Sequence, residues 1–159
     1  WFHLKSVPGV GNHLFKRLID RFGSPAAALQ APPEELAAVE GVTRRVVDAL
    51  RVHPVPPDAA AEIDAARRRG YRLITLCDAA YPPLLREIPD PPPLLYVNGD
   101  LDVGARCVAV VGSRNATAYG LDAARQLSAE LVRLKFTVVS GMALGIDTAA
   151  HEGALSGRD

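Results

Sequence analysis

Residues 107 to 151, CVAVVGSRNATAYGLDAARQLSAELVRLKFTVVSGMALGIDTAAH, decide the fold. Cys107 to Val111 is a short β-branched run, the composition of a strand buried on both faces of a parallel sheet. Gly112-Ser113-Arg114 follows as a tight turn. From Thr117 the period changes, and Leu121, Ala124, Leu127, Ser128, Leu131 and Leu134 recur at the spacing of one helix face. Phe136 to Val139 reads as a second strand, and Ser140-Gly141 opens a second turn leading into another helix. Strand, crossover helix and strand within roughly 30 residues predict a right-handed βαβ unit. Both turns then lie at the carboxyl ends of neighbouring strands, where open α/β sheets bind ligands.

Upstream of this unit, Tyr71 to Leu76 and Leu94 to Val97 have the composition of strands. Six of the 13 prolines fall between them, so the connection is irregular and rigid, with one helical turn at Leu84 to Ile88. Asp58 to Arg69 reads as a helix ending at Gly70, with Arg67-Arg68-Arg69 as a solvated end favoured by the macrodipole. His53-Pro54-Val55-Pro56-Pro57 is a stiff linker. Residues 1 to 53 read as all-helical. Val7-Pro8-Gly9-Val10-Gly11 and Glu40-Gly41-Val42-Thr43 form two hairpins between helices, resembling a tandem helix-hairpin-helix or SAM-like module. Gly9 and Gly11 admit two readings: backbone N–H groups that hold a DNA phosphate, or a sharp turn between packed helices. The module holds seven basic against five acidic residues, a net of +2. The predicted division is a helical domain over 1–53 and the first part of a larger α/β domain over 54–159.

Composition excludes several classes. At 48% hydrophobic and 23% charged residues, the chain can bury a core. No apolar run reaches the ~18 residues of a membrane span, and no secretory signal opens the chain, so a cytoplasmic protein without membrane partners is expected. Cys77 and Cys107 then read as reduced core thiols. Net charge is zero, so any nucleic-acid contact must come from a local patch. A chain that opens at Trp1 and stops at Gly157-Arg158-Asp159 without a closing element reads as part of something longer.

The two turns narrow the ligand. A dinucleotide fingerprint needs G-x-G-x-x-G and a following acid, but Arg114 and Thr117 stand where the later glycines would be. A P-loop needs Gly-Lys-Ser/Thr, which is missing. What remains is Gly112, Ser113, Arg114 and a helix start at Thr117, with Ser140 and Gly141 opposite. Helix N–H groups and an arginine fork favour an anion, and a phosphate shared by the two turns is the main reading. In the other reading, Ser113 and Ser140 cap helices and Arg114 pairs with an acid. Asp147 and His151 share a helix face. Two such residues without a third make a poor metal site, so Asp147 is expected to support the turn and His151 to hydrogen-bond the loops beneath. No catalytic residue, metal or cofactor is expected.

VAVVGSRNATAYG followed by VVSGMALGIDTAAHEGAL closely resembles the DNA-processing protein A (DprA/Smf) family. Gly112, Ser113, Arg114, Thr117, Tyr119 and Gly120 match its first motif. Ser140, Gly141, Ala143, Gly145, Ile146, Asp147, Ala150, His151, Gly153, Ala154 and Leu155 match its second. An upstream pattern through Tyr81, Pro82, Leu85, Ile88, Asp90, Pro92, Leu95 and Gly99 also fits, as does a helical module with VPGVG and FGS. The resemblance implies an α/β fold: a partial Rossmann-like parallel sheet, preceded by a small all-α SAM-like (helix-hairpin-helix) domain. It implies a non-enzymatic protein that binds single-stranded DNA and hands it to the RecA recombinase during natural transformation. Ser113 and Arg114 would hold a phosphate of that strand, with Ser140-Gly141 lining the same pocket. Family members commonly dimerise through a half of the domain beyond this chain, and many carry a C-terminal winged helix. The alternative is a nucleotide phosphoribohydrolase of the lysine-decarboxylase-like group, whose PGG-x-GT motif does not occur here.

Overall fold

Residues 2–52 form five short helices, α1 (Phe2–Ser6), α2 (Asn12–Phe22), α3 (Pro25–Gln30), α4 (Pro33–Ala37) and α5 (Arg44–Val52); the computed structural model describes residues 1–157 in all. Each is too short to persist alone in water. They are held by one buried cluster, in which Phe15 and Leu18 of α2 and Val47 and Leu50 of α5 pack with Leu4, Val7 and Leu36. Each fully buried large side chain contributes about 1.5–3 kcal/mol. Two helix starts are capped as their sequence suggests. Ser24 Oγ accepts the Ala27 N–H at 3.1 Å, and Thr43 Oγ1 accepts the Val46 N–H at 3.4 Å.

The two hairpins of this module fold alike. In each, a valine N–H donates back to the leading valine carbonyl at 3.0 Å, Val10 to Val7 and Val42 to Val39. The glycines between them take φ +89° at Gly9 and +88° at Gly41. Their packing is reciprocal. A Cβ on Gly9 would sit 2.9 Å from Cγ2 of Val46 in α5, and one on Gly41 would sit 3.9 Å from Cδ1 of Leu14 in α2. The helix starts differ. Asn12 Nδ2 donates to the Asp90 carbonyl at 3.4 Å, and the His13 ring Nδ1 lies 2.9 Å from the Pro89 carbonyl. Arg44 and Arg45 stay exposed. At Gly9 the close packing on α5 is realised.

After the proline linker come α6 (Ala59–Arg68), β1 (Tyr71–Thr75), α7 (Pro83–Arg86) and β2 (Leu94–Asn98). β1 and β2 pair antiparallel, from Tyr71 opposite Asn98 to Thr75 opposite Leu94. The proline-rich connection is pinned rather than loose. Tyr81 is buried and donates its hydroxyl to the Pro92 carbonyl at 2.9 Å, while Pro91 and Pro93 are fully buried. Trp1 packs on this small core as well as on the helical one, stacking on Phe15 with 5.5 Å between ring centroids.

Residue contacts divide the chain into two compact units, Trp1–Val103 and Gly104–Asp159. The second holds β3 (Cys107–Ala109), α8 (Ala118–Arg133), β4 (Thr137–Val139) and α9 (Ile146–Ser156). β3 and β4 pair in parallel, Val108 opposite Val138, with α8 as the crossover. Three expectations need correcting here. β3 is not buried on both faces: Val108 is half-buried and its neighbours Cys107 and Ala109 are exposed, the alternation of a strand covered on one side. Cys107 and Cys77 are free, exposed thiols rather than core residues. On α8 the buried positions are Ala124 and Ser128, whereas Leu127 is 54% and Leu134 65% exposed. The reason is close helix packing on small residues. A Cβ on Gly153 of α9 would lie 2.2 Å from the Arg125 carbonyl of α8, and one on Gly157 would lie 2.6 Å from that of Ala129.

Gly9→Ala is expected to destabilise the chain by about 1–3 kcal/mol, combining the left-handed backbone penalty with the Val46 collision. Gly11→Ser, at an N-cap with an extended backbone and open space around it, should be neutral or mildly stabilising. Urea denaturation of both variants checks the contrast.

Candidate nucleic-acid interface

The loops after β3 and β4 are locked together by backbone. The Ile146 N–H donates to the Ser113 carbonyl at 3.1 Å. Gly145 takes φ +80°, and a Cβ there would come within 2.3 Å of the Ser113 carbonyl and 2.6 Å of the Arg114 carbonyl. Gly112 is similarly tight, since a Cβ would sit 2.8 Å from the Ile146 side chain. The N-terminal ends of α8 and α9 therefore belong to one surface.

The sequence-selected residues take different parts in it. Thr117 is the N-cap of α8, its Oγ1 accepting the Gly120 N–H at 3.2 Å. Ser113 Oγ accepts the Asn115 N–H at 3.1 Å and shapes the first loop. Ser140 caps no helix; its hydroxyl donates to the Val110 carbonyl at 2.7 Å and ties the second loop to the first strand. The Gly141 N–H donates to Asp147 Oδ2 at 3.0 Å, and the Ala143 N–H approaches the same oxygen at 3.5 Å. A carboxylate from the first turn of α9 thus already occupies the amides of the second loop. Arg114 is exposed, and its side chain has no ion pair or hydrogen bond among the described residues. The reading in which Arg114 pairs with an acid is not realised.

Between the loops lies an open groove of about 540 Å³, lined by Arg114, Asn115, Ala116, Leu121, Arg125, Leu144, Gly145, Thr148 and Ala149. Arg125 hydrogen-bonds Glu152 at 2.9 Å and Asp122 at 3.1 Å. The Glu152 contact raises its pKa further, and the two carboxylates offset its charge. Among the described residues, Arg114 is therefore the uncompensated cation of the groove. Asn115, Arg125, Leu144 and Thr148 carried no motif signal; α8 and α9 bring them in.

Asp147 and His151 do not form one site. Asp147 is buried and supports the second loop, as expected. His151 does not hydrogen-bond the loops: its buried Nε2 has no partner among the described residues, and the ring lines a separate groove with Phe136, Met142 and Leu155. No group of three metal-ligating side chains occurs among the described residues.

Asp147→Ala is expected to cost about 1–3 kcal/mol, because it strips the acceptor from the Gly141 and Ala143 amides. Denaturant unfolding measures it.

With the site's geometry in view, the relatives are informative. A model of the family described as DNA recombination-mediator protein A matches residues 72–159, and one of the SAM-like helix-hairpin-helix tandem matches residues 3–53. Protein Smf of Synechocystis sp. is 35% identical over 160 residues, covering 98% of this chain and 40% of that protein. DNA processing protein DprA of Bacillus subtilis is 30% identical over 140 residues, covering 84% and 46%. The chain thus spans less than half the length of these curated relatives. In fold it is similar to DNA processing protein A (DprA) from Streptococcus pneumoniae, with a TM-score of 0.61 at 23% identity over 93% of this chain and 55% of that one. From the matched models and the Smf and DprA relatives, the chain belongs to the DNA recombination-mediator protein A (DprA/Smf) family.

Proposed function

We propose that this chain carries the single-stranded DNA site of a non-catalytic, cytoplasmic recombination mediator that delivers the strand to the RecA recombinase during natural transformation. The observation that carries the reading is Arg114: an unpaired guanidinium on a rigid loop, beside the capped start of the 16-residue helix α8. Arg114 supplies a fork of donors to a phosphate. Gly112, Ser113 and Thr117 set the loop that presents it, and Ser140 and Gly141 seat the opposing loop. Because net charge is zero, the attraction is local, and affinity depends on a few contacts. The non-catalytic reading is supported by Asp147, whose carboxylate is engaged with backbone amides rather than facing His151. A homodimer is part of the same proposal.

Arg114→Ala should weaken binding of single-stranded oligonucleotides by about 1–3 kcal/mol and flatten the salt dependence, since one charge-assisted phosphate contact is lost. Fluorescence anisotropy across a salt series measures both. Unchanged affinity in the variant would sink the proposal.

A further inference from the structure

We infer that the groove between the two loops is a nucleobase subsite, seating the base beside the phosphate that Arg114 takes; the inference rests on the single-stranded DNA reading above. Three features point there. The groove has apolar walls, Leu121 and Ala149 from the helices and Leu144 from the second loop. Leu144 is 76% exposed, yet it precedes Gly145, whose backbone is wedged against Ser113 and Arg114. An exposed leucine on so constrained a segment is presented rather than mobile. A base laid over it would remove apolar surface from water.

The second feature is Asn115. Its backbone N–H is engaged by Ser113 Oγ, whereas the residue lines the groove and its side-chain amide has no hydrogen-bond partner among the described residues. An amide offers both a donor and an acceptor, which suits the polar edge of any base. The third is charge. Arg125 is compensated by Glu152 and Asp122, so among the described residues the groove offers one free cation and not two. A second phosphate would meet apolar walls and an already paired guanidinium. A base meets a surface it can cover. At about 540 Å³ the groove is within the roughly 300–1,000 Å³ of small-molecule sites.

A base in a duplex is stacked and paired and would have to be extruded to enter, which disfavours double strands. Apolar packing on a base face is sequence-tolerant. The subsite therefore selects strandedness rather than sequence.

The test compares a single-stranded oligothymidylate with an oligonucleotide of equal length carrying abasic tetrahydrofuran residues, both bound to the chain and followed by fluorescence anisotropy. The abasic strand is expected to bind about 5- to 10-fold more weakly. Leu144→Ser and Asn115→Ala, both at exposed positions, should each weaken oligothymidylate binding about 3- to 10-fold and leave abasic binding unchanged. Arg114→Ala should weaken both strands alike. Equal affinity of the unaltered chain for the two strands would overturn the base subsite and leave the single-stranded DNA reading standing, as would equal losses on both strands in Leu144→Ser. Binding of neither strand would overturn both readings.

Discussion

The site depends on one close approach, the backbone of Gly145 against the carbonyls of Ser113 and Arg114. With no Cβ at this position the second loop settles onto the first, and the Ile146 N–H closes the contact on the Ser113 carbonyl. Any side chain there would wedge the loops apart. Because the contact is made by backbone atoms, it positions the starts of α8 and α9 without using the side chains that face solvent. Arg114, Asn115 and Leu144 remain available for a ligand.

The two loops are unequal electrostatically, although both precede helices. The second loop carries its own anion, the buried Asp147 carboxylate, which accepts from Gly141 and Ala143. Loop amides already engaged in this way have little left to offer a phosphate. The first loop carries no such internal acid, and its arginine is unpaired. In a chain without net charge, the proposed anion site rests on this asymmetry. On the proposed reading, Arg114, the one unpaired groove cation among the described residues, and its apolar neighbours would suit a ligand with one charge and one flat apolar face per repeat.

The helical module uses the same device at Gly9, where a Cβ would collide with Val46, while Gly41 meets α2 at ordinary contact distance. Gly9 and Gly41 are each the point where one hairpin meets the helix following the other, and the reciprocity of Val46 and Leu14 makes the two halves interdependent. Short helices need such mutual support. The tie from Asn12 and His13 to the proline-rich connection groups this module with the β1–β2 pair in one compact unit.

Local signals decided a good deal. β-branched runs and a change to helical period placed β3, α8, β4 and α9, and helix α5 falls where Arg44 to Val52 was expected, because propensity acts between near neighbours in sequence. The support that Asp147 gives the second loop was legible too, because it acts within six residues. What sequence spacing could not reveal was which side of α8 is buried. Leucines at the right period suggested one face, but close approach through Gly153 and Gly157 turned Ala124 and Ser128 inward and left Leu127 and Leu134 in solvent. The partners of Ser140 and Gly141, the isolation of His151 from Asp147, and the arrival of Asn115, Arg125 and Leu144 in one groove were likewise settled by tertiary structure. Each depends on distances between segments far apart along the chain, and periodicity carries no information about those.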